Sequence, residues 1–294
     1  MRILVFGASG FVGRHVLDRL AANHEVAGVV RKNDQNSPNL LVADLTIVSQ
    51  VEAAIAEFKP EVIVNCAGLF AADQNVSLNK VFTGNIFEAA YQAGGVRRIV
   101  ICSSASVYGV VGQSERATQE DDKLAATADY GVSKIEEEQT ARQLGEQYGI
   151  QPIMARIFNS IGTGSNPKLL LPNLLRQVQD IKAGNSDTIE VSRLDALRDY
   201  VNVEDVAIAF EHLATGRPKF DTYNIGSGQP TSTRQLIETI IDLIDPSLQP
   251  KLIEKLDSPE PVSACKADTS RLKEDFGWQP THSLKETIKE IASA

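Results

Sequence analysis

Cysteine is scarce and shows no pairing pattern: Cys66, Cys102 and Cys265 are three among 294 residues, without CxxC spacing. That argues against a disulfide framework and a zinc ribbon, and two of the three stand in apolar runs where a thiol packs as a small hydrophobe. His15, His24, His212 and His282 lack HExxH or any other ligand spacing, so no metal is expected. No apolar run approaches the ~18 residues of a membrane span, and Arg2 leading into a strand-like segment does not resemble a signal peptide. A cytoplasmic protein with no membrane partner is expected. Positive charge is also in deficit, 29 Lys+Arg against 38 Asp+Glu for a net charge of −9. This removes any general attraction to nucleic acid and leaves a local basic pocket as the means of holding a phosphate-bearing ligand. Repeats and low-complexity tracts are absent.

Apolar residues are plentiful, at 43% with a mean hydropathy of −0.13, enough to bury a sizeable core. Short apolar runs at residues 3–6, 26–30, 62–66, 99–103 and 152–157 alternate with longer amphipathic stretches. Strand and helix in alternation predict right-handed crossovers, hence an α/β fold with a doubly wound parallel sheet and a ligand crevice at the carboxyl ends of its strands. The texture changes after about Asn159, where Gly162, Gly164, Pro167 and Pro172 mark an irregular segment. Helices are expected around 174–181, over 231–244 with Ser232 or Thr233 near the N-cap, and over 283–291; residues 246–261, with four prolines, are expected to be loop-rich.

Gly7-Ala8-Ser9-Gly10-Phe11-Val12-Gly13 follows the first strand and opens a helix. Glycines there permit a tight turn and close backbone approach, so the helix N-terminus can receive a pyrophosphate; a turn serving only strand-to-helix packing is the alternative. At the end of the second strand, where an acidic residue would hold the ribose hydroxyls of NAD, Arg31 and Lys32 stand instead. A guanidinium fork suits a 2′-phosphate, so NADP(H) is preferred, with NAD(H) possible through Asp34 slightly further on. Residues 1–158 are therefore expected to form an NADP(H)-binding Rossmann domain, joined by part of 199–226, with 159–294 mainly a substrate-binding lobe.

Tyr130 and Lys134 are four residues apart, on one face of a helix. A lysine there is expected to lower the phenol's pKa, which makes Tyr130 usable as a proton donor or acceptor. Ser103-Ser104 ends a buried strand, where a hydroxyl would face the crevice and bind a reacting oxygen.

Together with Asn65-Cys66-Ala67-Gly68, residues 79–90, Ser103 to Gly109 (SSASVYG), Arg156-Ile157-Phe158-Asn159, Arg198-Asp199-Tyr200-Val201, Tyr223-Asn224-Ile225-Gly226 and Phe276-Gly277-Trp278-Gln279-Pro280, these features resemble the extended short-chain dehydrogenase/reductases that act on nucleotide sugars. The resemblance implies a catalytic set of Ser104, Tyr130 and Lys134. It implies a cofactor site of Gly7, Ser9, Gly10, Phe11, Val12, Gly13, Arg31, Lys32, Asp44, Leu45, Ala67, Gly68, Tyr130, Lys134 and Ile157. The substrate side would use Ser104, Ser106, Tyr130, Asn159 and Arg198. Residues 191–199 are similar to a segment of GDP-4-keto-6-deoxymannose reductases and GDP-mannose dehydratases, although Ser192-Arg193 stands where that pattern has Gly-Asn. Ser258-Pro259 stands where an arginine-proline pair often supplies a diphosphate contact, and Arg193 or Lys168 is the candidate replacement. Ala105-Ser106-Val107 carries no acid, which argues against dehydration. Reduction of a 4-keto-6-deoxyhexose nucleotide is favoured, with NAD-dependent 4-epimerisation and a non-catalytic NADP-binding protein as alternatives. The resemblance also implies a homodimer built on residues 79–93 and 130–148, where Val81, Phe82, Ile86 and Phe87 are expected to supply a second buried face.

Overall fold

The computed structural model describes residues 1–32, 39–70, 75–109, 116–255 and 265–293. Asp34, Ser258 and Pro259 lie outside the described residues.

The first apolar runs form β1 (Arg2–Phe6), β2 (Glu25–Val30), β4 (Val62–Asn65), β5 (Arg98–Ser104) and β6 (Gln151–Ile157), joined by a short β3 (Leu40–Val42) and by β10 (Thr222–Ile225). All seven run parallel in the order β10-β6-β5-β4-β1-β2-β3. Strands buried on both faces need no polar alternation, which is why they appear in the sequence as continuous apolar runs. One face is covered by α1 (Phe11–Ala21) and α6 (Val203–Thr215), and the other by α2 (Val48–Phe58), α3 (Leu78–Ala93) and α4 (Asp129–Tyr148). Strand order reverses at β1, whose neighbours are β4 and β2. The crevice at their carboxyl ends is the switch point where such sheets bind ligands.

Beyond β6 the chain forms β7 (Asn159–Ile161), α5 (Leu170–Lys182), β8 (Thr188–Val191), β9 (Leu197–Asn202), β11 (Pro230–Ser232), α7 (Thr233–Ile244), β12 (Lys251–Glu254), α8 (Ser270–Phe276) and α9 (Leu284–Ser293). β7, β9 and β11 make a three-stranded sheet, and β12 pairs parallel with β8. Lys251–Glu254 form a strand inside the stretch 246–261, expected to be loop-rich. Four residues whose partner strand lies far back in the sequence carry little local signal. Ser232 caps α7 in a reciprocal arrangement with Gln235, as its position predicts.

One correction concerns α3. Ile86 and Phe87 are fully buried in the chain's own core against α2 and the sheet, so they are not available to a second face. Val81, Tyr91 and Val132 of α4 are the exposed apolar residues there, and Phe82 is half-buried.

Two buried arginines tie the layers together. Arg98 of β5 donates to the carbonyls of Leu213, Ala214 and Gly216 at 2.9, 3.2 and 3.0 Å, satisfying the C-terminal end of α6. Burial pulls its pKa down to about 10. Arg156 of β6 meets Glu138 of α4 through two parallel bonds, Nε to Oε1 at 2.9 Å and Nη2 to Oε2 at 2.7 Å, and also donates to the Tyr108 hydroxyl and the Glu120 carbonyl. Removing one partner of such a pair strands the other charge in the core. Arg156→Met is therefore expected to lower unfolding free energy by about 3–5 kcal/mol in urea titration, and adding Glu138→Leu is expected to recover part of that loss.

Candidate active site

The glycine loop is shaped by contact rather than by flexibility alone. Gly7 has φ of 73°, and a Cβ there would lie 2.5 Å from the Ala67 nitrogen; a Cβ on Gly13 would lie 2.1 Å from the Gly7 carbonyl oxygen. Only glycine permits the strand end, the helix start and the loop after β4 to come so close. Gly10 caps α1 with no side-chain hydrogen bond and no acid in the first turn, while Gly10, Phe11 and Val12 line a cavity of about 830 Å³. Helix N–H groups left open towards a cavity fit a diphosphate. A dinucleotide suits these residues on that ground.

Ala67, Gly68 and Ile157 line the same cavity; Gly7, Ser9, Gly13, Arg31, Lys32, Asp44 and Leu45 do not. Gly7 and Gly13 build the turn. Arg31 and Lys32 are exposed just beyond β2. Asp44 accepts the hydroxyl and the N–H of Thr46 at 2.7 and 2.9 Å, which hold its carboxyl below the usual range, with a further pull from the Arg31 charge. Asn85 fixes Leu45 by donating to its carbonyl at 2.7 Å.

Ser104, Tyr130 and Lys134 all face the cavity and are brought together from β5 and α4. Ser103 also reaches the lining, but its hydroxyl is spent on Glu138 at 2.6 Å. Ser104 hydrogen-bonds the Tyr130 phenol, and its oxygen also accepts from the N–H and the hydroxyl of Ser106 at 3.2 and 2.9 Å. Ser106 thus sits behind Ser104 and outside the cavity lining. Lys134 Nζ donates to Glu137 Oε2 at 2.5 Å, a buried ion pair within one helix. Lys134 pulls on the phenol as its spacing predicts, but burial outweighs it. Burial pushes the Tyr130 phenol above its ordinary value, although Lys134 and Ser104 pull it down. Burial alone would depress the Lys134 ammonium, yet Glu137 and Tyr130 raise it, so the lysine is charged.

On the opposite wall the cavity is lined by Asn159, Arg193 and Arg198, whereas Lys168 is exposed and lies outside it. Asn159 is oriented by donating to the Asp199 carbonyl at 3.0 Å. Asp199 itself accepts four bonds, from the Ser227 N–H and hydroxyl at 2.6 Å each, Gly228 N–H at 2.8 Å and Ala267 N–H at 2.9 Å. Burial pushes its pKa up against those donors.

Sequence reasoning assigned no role to Tyr200 and Ser165. Both line the cavity, and the hydroxyl of each is buried with no hydrogen-bond partner among the described residues. A buried hydroxyl without a partner is costly. Tyr200 stood in the Arg198-Asp199-Tyr200-Val201 motif, so a signal existed; Ser165, in an irregular loop, offered none. Cys66 and Cys102, beyond packing against the core, also reach the cavity floor. No group of three or more metal-ligating side chains occurs, and no helix is long and apolar enough to cross a membrane, among the described residues.

Comparison with known proteins agrees with this architecture. The chain is 28% identical to GDP-6-deoxy-D-mannose reductase of Pseudomonas aeruginosa, covering 99% of this chain and 96% of that protein. It is 27% identical to UDP-glucose 4-epimerase of Bacillus subtilis, covering 97% of this chain and 94% of that protein. A solved structure of RMD from Pseudomonas aeruginosa complexed with NADPH superposes with a TM-score of 0.84 at 27% identity, covering 99% of this chain and 97% of that one. Residues 3–226 match the model of the NAD dependent epimerase/dehydratase family. With the glycine turn at the switch point and the serine, tyrosine and lysine converging beside it, the chain belongs to that family of nucleotide-sugar-modifying enzymes.

Proposed function

We propose that this chain reduces the 4-keto group of a nucleotide-linked 4-keto-6-deoxyhexose, with NADPH the preferred reductant. The observation that carries the reading is the convergence of Ser104, Tyr130 and Lys134 on one cavity beside the open end of α1, with the exposed cations Arg31 and Lys32 just beyond β2. Reducing a ketone requires a proton for the oxygen, and a phenol whose pKa burial raises is held ready as the acid. Oxidising a sugar hydroxyl first, as an epimerase does, would call on the phenolate instead.

A reduced nicotinamide, when bound, supplies the hydride that the carbonyl carbon takes up. Everything else falls to side chains of this chain. Gly10, Phe11 and Val12, which line the cavity at the open end of α1, would hold the diphosphate. Arg31, assisted by Lys32, would take the 2′-phosphate, and Asp44 and Leu45 would border the adenine. Ala67, Gly68 and Ile157 would bound the nicotinamide end. Ser104 Oγ donates to the substrate oxygen and Tyr130 Oη passes its proton to it; the adjacent Lys134 charge stabilises the phenolate that remains. Asn159, Arg193 and Arg198 line the wall that the nucleotide diphosphate would meet, with Tyr200 and Ser165 beside them. Lys168, exposed and off the lining, is set aside as the replacement arginine in favour of Arg193.

The Pseudomonas aeruginosa relatives, one named a reductase and one solved with NADPH, support this reading. The Bacillus subtilis relative supports a second, 4-epimerisation with a retained NAD. The family expectation of a homodimer is carried here by Val81, Tyr91 and Val132, exposed by 37%, 52% and 38% on α3 and α4, which pack side by side.

Tyr130→Phe is expected to retain cofactor binding and lose about 10²–10⁴ in turnover of the keto sugar, read as NADPH oxidation. Conversion of a 4-hydroxyl sugar to its epimer without NADPH consumption would favour the second reading. Arg31→Ala is expected to weaken NADPH about tenfold or more while leaving NADH unchanged, read by fluorescence titration; equal losses would remove the 2′-phosphate contact. Sedimentation equilibrium is expected to give twice the chain mass of 31.9 kDa, and Tyr91→Asp to reduce it to one chain.

A further inference from the structure

Beneath the cavity lies a buried hydrogen-bond chain whose direction can be read from its ends. The Ala67 N–H donates to Asn65 Oδ1 at 3.1 Å, so the Asn65 amide must present its Nδ2 to Thr83 Oγ1, 3.0 Å away. Thr83, already accepting, gives its own proton to Glu137 Oε1 at 2.8 Å. Glu137 Oε2 accepts from Lys134 Nζ at 2.5 Å. Both oxygens of Glu137 are acceptors, which is the pattern of an ionised carboxylate. Asn65, Thr83, Lys134 and Glu137 are each at most 3% exposed.

We propose that Glu137, oriented by Thr83, is a positioning residue that partly offsets the Lys134 charge from below and so biases Tyr130 towards its acid form. This rests on reading Tyr130 as the proton donor. A lysine alone would draw the phenol towards phenolate; a carboxylate in contact with that lysine opposes part of the pull. The other titratable groups facing the trio are Cys66 at the end of β4, Cys102 on β5, and Glu138 on α4. Glu138 is already committed to Arg156 of β6 and to Ser103. From α3, Thr83 and Asn79 contribute only neutral groups, Asn79 binding Ser133 at 3.3 Å. Glu137 is the one carboxylate among the described residues in contact with the Lys134 ammonium.

The sign follows. Replacing Glu137 by a neutral side chain removes a negative charge, so the Lys134–Tyr130 pair releases its first proton at lower pH. In cofactor-free protein, the near-ultraviolet tyrosinate absorbance of each chain minus that of its Tyr130→Phe counterpart isolates this phenol. Glu137→Gln is expected to shift its titration to lower pH by on the order of one unit, and the alkaline limb of kcat/KM with it. Glu137→Asp, which keeps the charge, is expected to restore most of the parent behaviour. An unmoved titration in folded Glu137→Gln, or an equal shift in Glu137→Asp, overturns the proposal. The parent chain gives a second reading that needs no Glu137 variant: its Tyr130 phenol should titrate above the free value of about 10, and titration below that value overturns the proposal as well. The absorbance measurement uses neither substrate nor cofactor, so its failure is distinct from failure to reduce a keto sugar.

Discussion

The contact between the Gly7 and Ala67 backbones is the constraint around which the site is arranged. The ends of β1 and β4 approach so closely that Gly7 cannot carry a Cβ, and α1 folds back so tightly on the Gly7 carbonyl that Gly13 cannot either, which starts α1 at the floor of the crevice. A helix begun there points its open N–H groups into the cavity, and the loop 66–68 is pressed beside the strand that carries Ser104. Gly68 lies close enough that an added Cβ would stand 3.7 Å from Lys134 Nζ. One steric contact thus couples the anion-binding end of the cleft to its reacting end.

The second determinant is the polar inner face of α4. Lys134, Glu137 and Glu138 are all buried there, each with an opposite charge in hydrogen-bond contact. Buried ion pairs add little net stability compared with apolar packing, because desolvation offsets the attraction. What they supply is position: Glu138 holds β6 and Ser103, and Glu137 holds the lysine. The local sequence therefore departs from what packing alone would choose, as expected where a helix is shaped by chemistry.

The fold was legible because its sheet is made of short, wholly apolar strands separated by glycine turns and helices, a pattern that needs no long-range information. The glycine loop and the Tyr130/Lys134 spacing were legible for the same reason. What escaped depends on distant partners. Lys251–Glu254 becomes a strand only against Thr188–Val191. Glu137 reads as one of three consecutive glutamates on a solvated helix until Thr83 of α3 and Lys134 close around it. Ile86 and Phe87 looked surplus to one helix face because the depth of the core between α2, α3 and the sheet cannot be judged from one helix. The ionisation of Tyr130 escaped as well, since spacing reveals the lysine beside it but not the burial that outweighs the lysine.

Asp199 has a mechanical consequence. It stands on β9, next to Arg198 on the outer wall of the cleft, yet its four donors come from the turn after β10, at the edge of the large sheet, and from Ala267. Two oxygens saturated by fixed N–H and hydroxyl groups act as a rivet between two sheets. The wall strand bearing Arg198 is thereby tied to the edge of the large sheet through side chain and backbone together. Asn159, which donates to the Asp199 carbonyl, is referred to the same anchor, so one carboxylate sets the position of both polar groups of the wall.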